Sequence, residues 1–483
     1  MQTPFFPAFR PRLAALGRCT QRLRQTTLAQ FQDHLRDLLP IHLLSQEDDG
    51  PNSRDRCFNV RLTLECFLWQ MLKPRTACRE VVRQVQALRR LAGQAPIDED
   101  DSAYVQARLR LPKERMERSL EAIAQAAQHR IKSPLALQGR PVKVVDGSTA
   151  QMSDTPANQK AYPQPSEQTP GCGFPVIKFV VLFCLQSGAI LNLMTGNLHS
   201  SEQRLFRGLW ETLKKGDIAL GDRGFGDYVN LAALWARGVD LVARLHANRK
   251  VDFRKGRRLG KNDALFVWRK GSHQSDILTP SEWDLLPEQL TVRLIRFTAV
   301  IRGFRSRKIT LVTTLLAPKD YPASELMDLY RRRWRLELCL RDLKTTLGME
   351  FLRCKSPEMV EKEILAYLIA HNLIRCIMAE AAQTYDQDLE RLSFKGTVDA
   401  VRQYSAAIAQ ARSKSMREQL WQDLLINLVR DLVPNRPGRL EPRSLKRRPK
   451  PYPLLNKPRH QFKEIPHRSR YWKARPRDHK ALN

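Results

Sequence analysis

At Pro141 the hydrophobic period of the chain switches from helical to alternating, and from there to residue 245 short β-branched runs and helical segments take turns. Residues 142–145, 176–185 and 189–195 read as strands, the last two joined by a tight turn at Gln186, Ser187 and Gly188. A helix over 202–214, a strand over 218–221, a helix over 227–237 and a strand over 239–245 follow. Three strands, helix, strand, helix, strand is the order of a mixed sheet with helices on its faces. Two of these strands run directly into an aspartate, Asp146 and Asp222. Each is expected to present a carboxylate at its strand tip.

A second carboxylate-bearing element lies far downstream. Residues 322–348 read as one long helix, started by Asp320, Pro322 and Ser324 and stopped by Gly348. With Tyr330 at zero and about 100° per residue, Arg333, Glu337 and Lys344 fall near −60°, −20° and −40°. Leu329, Leu336, Leu340, Leu343 and Leu347 form an apolar stripe beside them. The helix therefore buries one stripe and presents another that carries a carboxylate among a phenol and two cations. That combination suits a phosphate backbone with a metal ion next to it.

The surplus of positive charge agrees. A formal charge of +32 over 483 residues and a pI near 10.2 call for a polyanionic partner. Nucleic acid is favoured over membrane, because no stretch reads as long and apolar enough to cross a bilayer; the best, residues 179–185, reads as a buried strand. The N-terminus lacks a charged start followed by an unbroken apolar run, so no secretory signal is expected. Nine cysteines, odd in number and without a CxxC pair, fit a reduced cytoplasmic, nucleoid-associated protein better than a disulfide framework or a zinc site.

The organisation follows from these changes of pattern. Residues 1–140 read as a helical, DNA-binding region, with helices at 27–39, 60–72, 77–91 and 113–129. Residues 141–245 and 315–384 carry the sheet and the long helix, interrupted by a β-rich insertion at 246–314. Residues 385–434 read as helical, and 435–483 form a basic, Pro-rich tail with 16 Lys and Arg against 3 Asp and Glu. The tail is expected to be extended and to clamp nucleic acid by charge.

Two divalent ions serve phosphodiester hydrolysis well, one at the attacking oxygen and one at the leaving oxygen. Asp146, Asp222 and Glu337 supply the carboxylates that hard Mg2+ or Mn2+ ions take. Other groups have plainer readings. Asp154 is a loop residue, Asp227 a helix cap, and His199, His246 and His371 are isolated structural histidines. Arg223 suits a phosphate or a carboxylate equally. The Ser148 and Thr149 hydroxyls have no His and Asp partners in pattern.

These residues together carry a resemblance. Tyr330-x-x-Arg333-x-x-x-Glu337, then six residues to Lys344, resembles the signature of the insertion sequence four family of bacterial DDE transposases. The blocks VVDGST, YPQP, GCGFP, GDRGF and LYRRRWRLELCLRDLK are similar as well, as is the tail segment RPGRLEPRSLKRRPKPYPLL. The resemblance implies an α/β fold with an RNase H-like catalytic core interrupted by a β-strand insertion domain, between helical N-terminal and C-terminal regions. The interval from Asp222 to Glu337, 337 − 222 = 115 residues, fits that insertion. It further implies Asp146, Asp222 and Glu337 as a metal-binding triad using Mg2+ or Mn2+, and Tyr330, Arg333 and Lys344 as phosphate contacts. The partners implied are double-stranded DNA, as terminal inverted repeats and target, and a second copy of the chain in a homodimer on DNA. Trp268 and Trp283 are candidates for stacking a flipped base, against a plainer role as fillers of the insertion core. A metal-dependent nuclease without strand transfer, or a catalytically idle DNA-binding derivative, remain as alternatives.

Overall fold

A computed structural model describes residues 57–91, 93–131, 137–299, 307–411, 413–434 and 454–462. The expected helix at 27–39 and most of the basic tail lie outside the described residues.

The described part begins with four helices, α1 (Val60–Leu72), α2 (Cys78–Leu91), α3 (Ser102–Arg110) and α4 (Lys113–His129). In α4 the spacing Met116, Leu120, Ile123, Ala124, Ala127 puts the larger apolar side chains and two alanines on one buried stripe. The sheet follows: β1 (Val142–Met152), a short helix α5 (Pro156–Ala161), β2 (Val176–Cys184), β3 (Ile190–Asn197), α6 (Glu202–Arg207), β4 (Ile218–Gly221), α7 (Tyr228–Ala236) and β5 (Asp240–Arg244). Then come β6 (Arg257–Gly260), β7 (Asp263–Arg269), α8 (Pro280–Asp284), β8 (Gln289–Ala299) and β9 (Arg307–Thr313). The C-terminal half holds α9 (Ala323–Arg332), α10 (Arg335–Arg341), β10 (Phe351–Leu352), α11 (Pro357–Thr384), α12 (Phe394–Gln410) and α13 (Lys414–Arg430).

The strands join one ten-stranded sheet in the order β3-β2-β1-β4-β5-β9-β8-β7-β6, with β10 added to the far end of β1. β1, β2 and β3 are an antiparallel meander, and β4 and β5 run parallel to β1. The insertion strands are not a separate sheet. β9 pairs antiparallel with β5, Val242 opposite Thr313, so the insertion extends the core sheet edge to edge.

Alternation along the central strands divides the interior in two. Val142 and Val144 of β1 with Phe179, Val181 and Phe183 of β2 face one core; Val145, Val180 and Leu182 face the other. Helix α11 lies in the first core, with α1, α4, α12 and α13 packed around it. Contrary to the expectation that no stretch is so, it is long and apolar enough to cross a membrane by length and composition. Because 89% of its most apolar window is buried inside the protein, it is a core helix. Lys113 of α4 bonds Glu361 at 2.7 Å and Lys362 donates to the Leu109 carbonyl at 2.7 Å, so the N-terminal helices are docked on α11.

His371 sits in the middle of α11, fully buried, its ring 5.0 Å from that of Phe394 and near Phe183. Burial, helped by Arg375, pushes its pKa down to about 3. The unfolded chain takes up a proton near the ordinary value of about 6.5 and the folded chain refuses it. Stability is therefore full above that value and falls as pH drops toward 3, by about 1.4 kcal/mol per pH unit from this residue. Urea denaturation at pH 7 and pH 5 should show a smaller acid loss in His371→Phe than in the parent protein.

Candidate active site

Parity along β1 selects which side chains reach the site. Asp146 and Ser148 share the face of Val142 and Val144, on the side of the sheet where Leu336, Leu340, Leu343 and Leu347 are buried. Asp146 is not at a strand tip. The strand continues to Met152, because β2 pairs with it through Gln151 and β10 adds a second partner at residues 151 and 152. The pairing with β4, however, stops at Val144. From there the sheet opens, and Asp222, directly after β4, reaches the gap beside Asp146. The Asp222 carboxylate is held by the Gly224 amide, which donates at 2.7 Å.

The expected single helix over 322–348 is broken. Between α9 and α10 the amides of Arg333, Trp334, Leu336 and Glu337 each donate to the carbonyl three residues back, a tight turn instead of an α turn. Beyond Arg341 the chain widens into a π segment, Asp342–Thr346. All of these residues are acceptable helix formers, so the distortion comes from packing. The apolar stripe nevertheless stays down, with Leu329, Leu336, Leu340, Leu343 and Leu347 all buried. The polar stripe is laid onto β1 and is not free in solvent. Arg333 Nη1 lies 3.7 Å from Asp146 and its Nη2 lies 3.4 Å from Glu337. Lys344 Nζ donates to Ser148 Oγ at 3.4 Å. Tyr330 is buried, with Arg333 over its ring at 5.7 Å.

Burial pushes the Asp146 carboxyl up to about 6 against the pull of Arg333, and the nearby Asp222 and Glu202 carboxylates add to the rise. Burial also raises Tyr330, opposed by Arg333 and Arg244. Glu202 was missed in the sequence. Its carboxylate stands where a Cβ on Gly147 would lie, 2.6 Å from Oε1, and 3.8 Å from where one on Gly224 would lie. Trp334 was missed too: it is 63% exposed, three residues before Glu337. Its signal was an aromatic inside a run of arginines. Trp268 and Trp283 are partly buried against the second core and covered by cations, Arg249 at 4.1 Å and Lys270 at 5.4 Å. Asp227 caps α7, as its position suggested, accepting from the Asn230 amide. All eight cysteines among the described residues are free thiols.

Among the described residues no three or more His, Cys, Asp or Glu side chains stand together as a ready metal cage. Asp146 and Asp222 are neighbours, while Glu337 is coupled to Asp146 through the Arg333 guanidinium. The donor set is nonetheless all-oxygen and anionic, which fits a hard divalent ion. The missing Cβ of Gly147 leaves beside it the space that the Glu202 carboxylate occupies.

With this geometry in view, the relationships are direct. Residues 137–373 match the transposase DDE domain. The match spans 373 − 137 + 1 = 237 of the 483 residues, and with the relatives that follow it supports a DDE transposase of the insertion sequence four family. It is 28% identical over 439 residues to the transposase InsG for insertion sequence element IS4 of Escherichia coli strain K12, covering 88% of this chain and 94% of that one. The putative transposase InsL for insertion sequence element IS186A of the same organism is 28% identical over 186 residues, 33% of this chain and 50% of that one. A cryo-EM structure of the piggyBac transposase synaptic complex with hairpin DNA aligns over 88% of this chain and 87% of that chain. Its TM-score is 0.39 and its identity 8%, a likeness too loose to bear on the fold. The protein is thus a DNA transposase, of a family that acts with a divalent metal ion.

Proposed function

We propose that this transposase moves its element by cut and paste, binding the terminal inverted repeats and reacting there at Asp146, Asp222 and Glu337. The observation that carries this reading is the position of Arg333, whose guanidinium spans Asp146 of the sheet and Glu337 of the helix. A divalent ion, Mg2+ with Mn2+ as substitute, supplies when bound a Lewis acid for the attacking and leaving oxygens. Arg333 and Lys344 exchange their present partners for phosphate oxygens, and Tyr330 donates a further hydrogen bond. Release of Arg333 frees Asp146 and Glu337 as ligands. Water is the first nucleophile at each element end, and the freed 3′ hydroxyl is the nucleophile toward target DNA.

The strand order β3-β2-β1-β4-β5, an antiparallel meander followed by two strands parallel to the first, supports an RNase H-like core over 141–245 and 315–384. Residues 246–314 are its insertion, 1–140 a DNA-binding region, and 435–483 an electrostatic clamp. Residues 385–434 serve as a dimer surface when two ends are synapsed. Trp334, with its open face, is better placed to stack a base than Trp268 or Trp283.

Incubation of the full chain with Mg2+, duplexes bearing the element ends and a target plasmid should yield joined products. End cleavage without joining would reduce the reading to a nuclease.

A further inference from the structure

The turn between α9 and α10 has a second side. Arg333 and Glu337 are laid toward β1, whereas Arg332 and Arg335 line a two-chambered cleft. The larger chamber, about 550 Å3, lies between that turn, the end of α4 and the residues that follow α11, with Arg130 in its wall as well. The smaller, about 350 Å3, is lined by Phe183, Leu336, Leu338, Leu392, Phe394 and Val433 among others. Gln186, Arg335 and Glu390 border both, so the chambers meet there. Concave space of this size, apolar at one end and with a few convergent charged groups at the other, has the character of a small-molecule site.

The cations of the larger chamber are short of partners. Arg332 is half-buried, and among the described residues its guanidinium makes no hydrogen bond or ion pair; burial pulls its pKa down, with Asp388 opposing. Arg130 gives one nitrogen to the Ala126 carbonyl of its own helix, 3.2 Å away. Arg332 and Arg375 both stand close enough to repel Arg335. The carboxylates there already have partners: Glu390 pairs with Arg335, Asp388 accepts from the Glu390 amide at 2.9 Å, and Asp386 is not free. Guanidinium groups gathered in this way repel one another unless an anion sits among them, and their planar forks match phosphate oxygens. In the smaller chamber Leu338 and Val433 are 41% and 48% exposed, while Phe183, Leu336, Leu392 and Phe394 are buried, which leaves an apolar slot open to solvent. Arg375 stands at its edge, donating to the Ser187 carbonyl at 2.6 Å and packed on Gly188, where a Cβ would come within 2.8 Å of it.

We propose that this cleft is a nucleotide site, in which Arg130, Arg332 and Arg335 take the phosphate and the flat ring lies in the apolar chamber against Leu338 and Val433. Two sources share that chemistry, a free nucleoside phosphate and the phosphorylated end of a single strand. A ligand bound there braces from behind the turn whose other side lays Arg333 and Glu337 toward Asp146. The site needs no metal ion and stands apart from the carboxylates of the catalytic gap.

The test is isothermal titration calorimetry of the full-length protein with ADP, in EDTA so that no metal ion bridges the phosphates to the aspartates. ADP should bind, and Arg332→Gln should weaken it at least about tenfold, the loss of one charge-assisted hydrogen bond. Arg130→Gln, on a different element, should repeat that loss, whereas Arg254→Gln, at a side chain 91% exposed in the insertion, should change nothing. Val433→Glu, which alters only the rim of the ring chamber, should weaken ADP as much as Arg332→Gln does. A trinucleotide with a 5′-phosphate, titrated beside its unphosphorylated form, separates the sources. A phosphate-dependent gain that Arg332→Gln removes, without ADP binding, assigns the site to a strand end; ADP binding assigns it to the free nucleotide. If Arg332→Gln weakens ADP and Val433→Glu stays within about twofold of the parent, the placement of the ring is overturned. If no probe binds in a way that depends on Arg332, the whole proposal is overturned. Thermal melts followed by circular dichroism on the same samples separate lost binding from lost fold.

Discussion

Asp146→Asn should reduce strand cleavage at element ends by about three orders of magnitude, equivalent to about 4 kcal/mol of transition-state stabilisation. End binding should stay close to that of the parent protein. The reason is the proposed division of labour in the pocket: Asp146 is read as a metal ligand and not a phosphate contact, and Arg333, 3.7 Å from it, should become more available to DNA when the charge is removed. Glu337→Gln should behave alike, because Arg333 lies 3.4 Å from it as well. A gel-shift titration beside a cleavage time course on the same end duplex checks both. Cleavage within tenfold of the parent in either variant would remove that carboxylate from the chemistry. The alternative of an idle DNA-binding derivative predicts no cleavage by the parent in the first place.

The second large effect concerns stability and lies in the insertion. Arg293 of β8 is 0% exposed and makes two bonds to Asp263 of β7, at 2.8 and 2.6 Å. Its remaining nitrogen donates to the Tyr321 carbonyl at 2.7 Å, just before α9. Asp263→Ala strands a buried guanidinium and should cost about 3–5 kcal/mol. Replacing both partners by apolar residues, Asp263→Leu with Arg293→Met, should restore much of the loss, because the penalty comes from an unpaired charge and not from a missing attraction. Urea midpoints of the single and double variants measure this. The bond to Tyr321 adds a second readout: the single variant should lose catalytic activity before it unfolds, since the strand no longer anchors the start of the helix that leads to Arg333 and Glu337.

How far the molecule was legible in its residues depends on the range of the forces involved. The buried leucines of the long helical stretch were readable because their period is local, and all five lie in the core. The break near Arg333 was not, because no proline or glycine marks it and the tight turn is imposed by packing on β1. Strand β1 was read as ending at Val145, yet its extension to Met152 depends on residues 176 and 351–352. Asp146 thus moved from a strand tip to mid-strand. Its neighbourhood with Asp222 still arises, since β4 ends early. Glu202 had no local signal at all: a serine before it marks a helix start, and only the fold brings it under Gly147. The insertion was legible as strands, but its continuity with the core sheet was not, because edge pairing of β5 with β9 leaves no periodic trace.

The partnership of β1 with β10, and the burial of both under α11, also sets a timetable for the newly made protein. Asp146 leaves the ribosome 384 − 146 = 238 residues before the end of α11. At about 5–20 residues per second that is a delay of roughly 10 to 50 s. During it the emerging chain already displays the arginine-rich segments of its N-terminal part but has no completed pocket. If residues 1–140 bind DNA as proposed, a product truncated before α11 should meet DNA by charge and yet not cut it, so that translation itself would separate searching from chemistry.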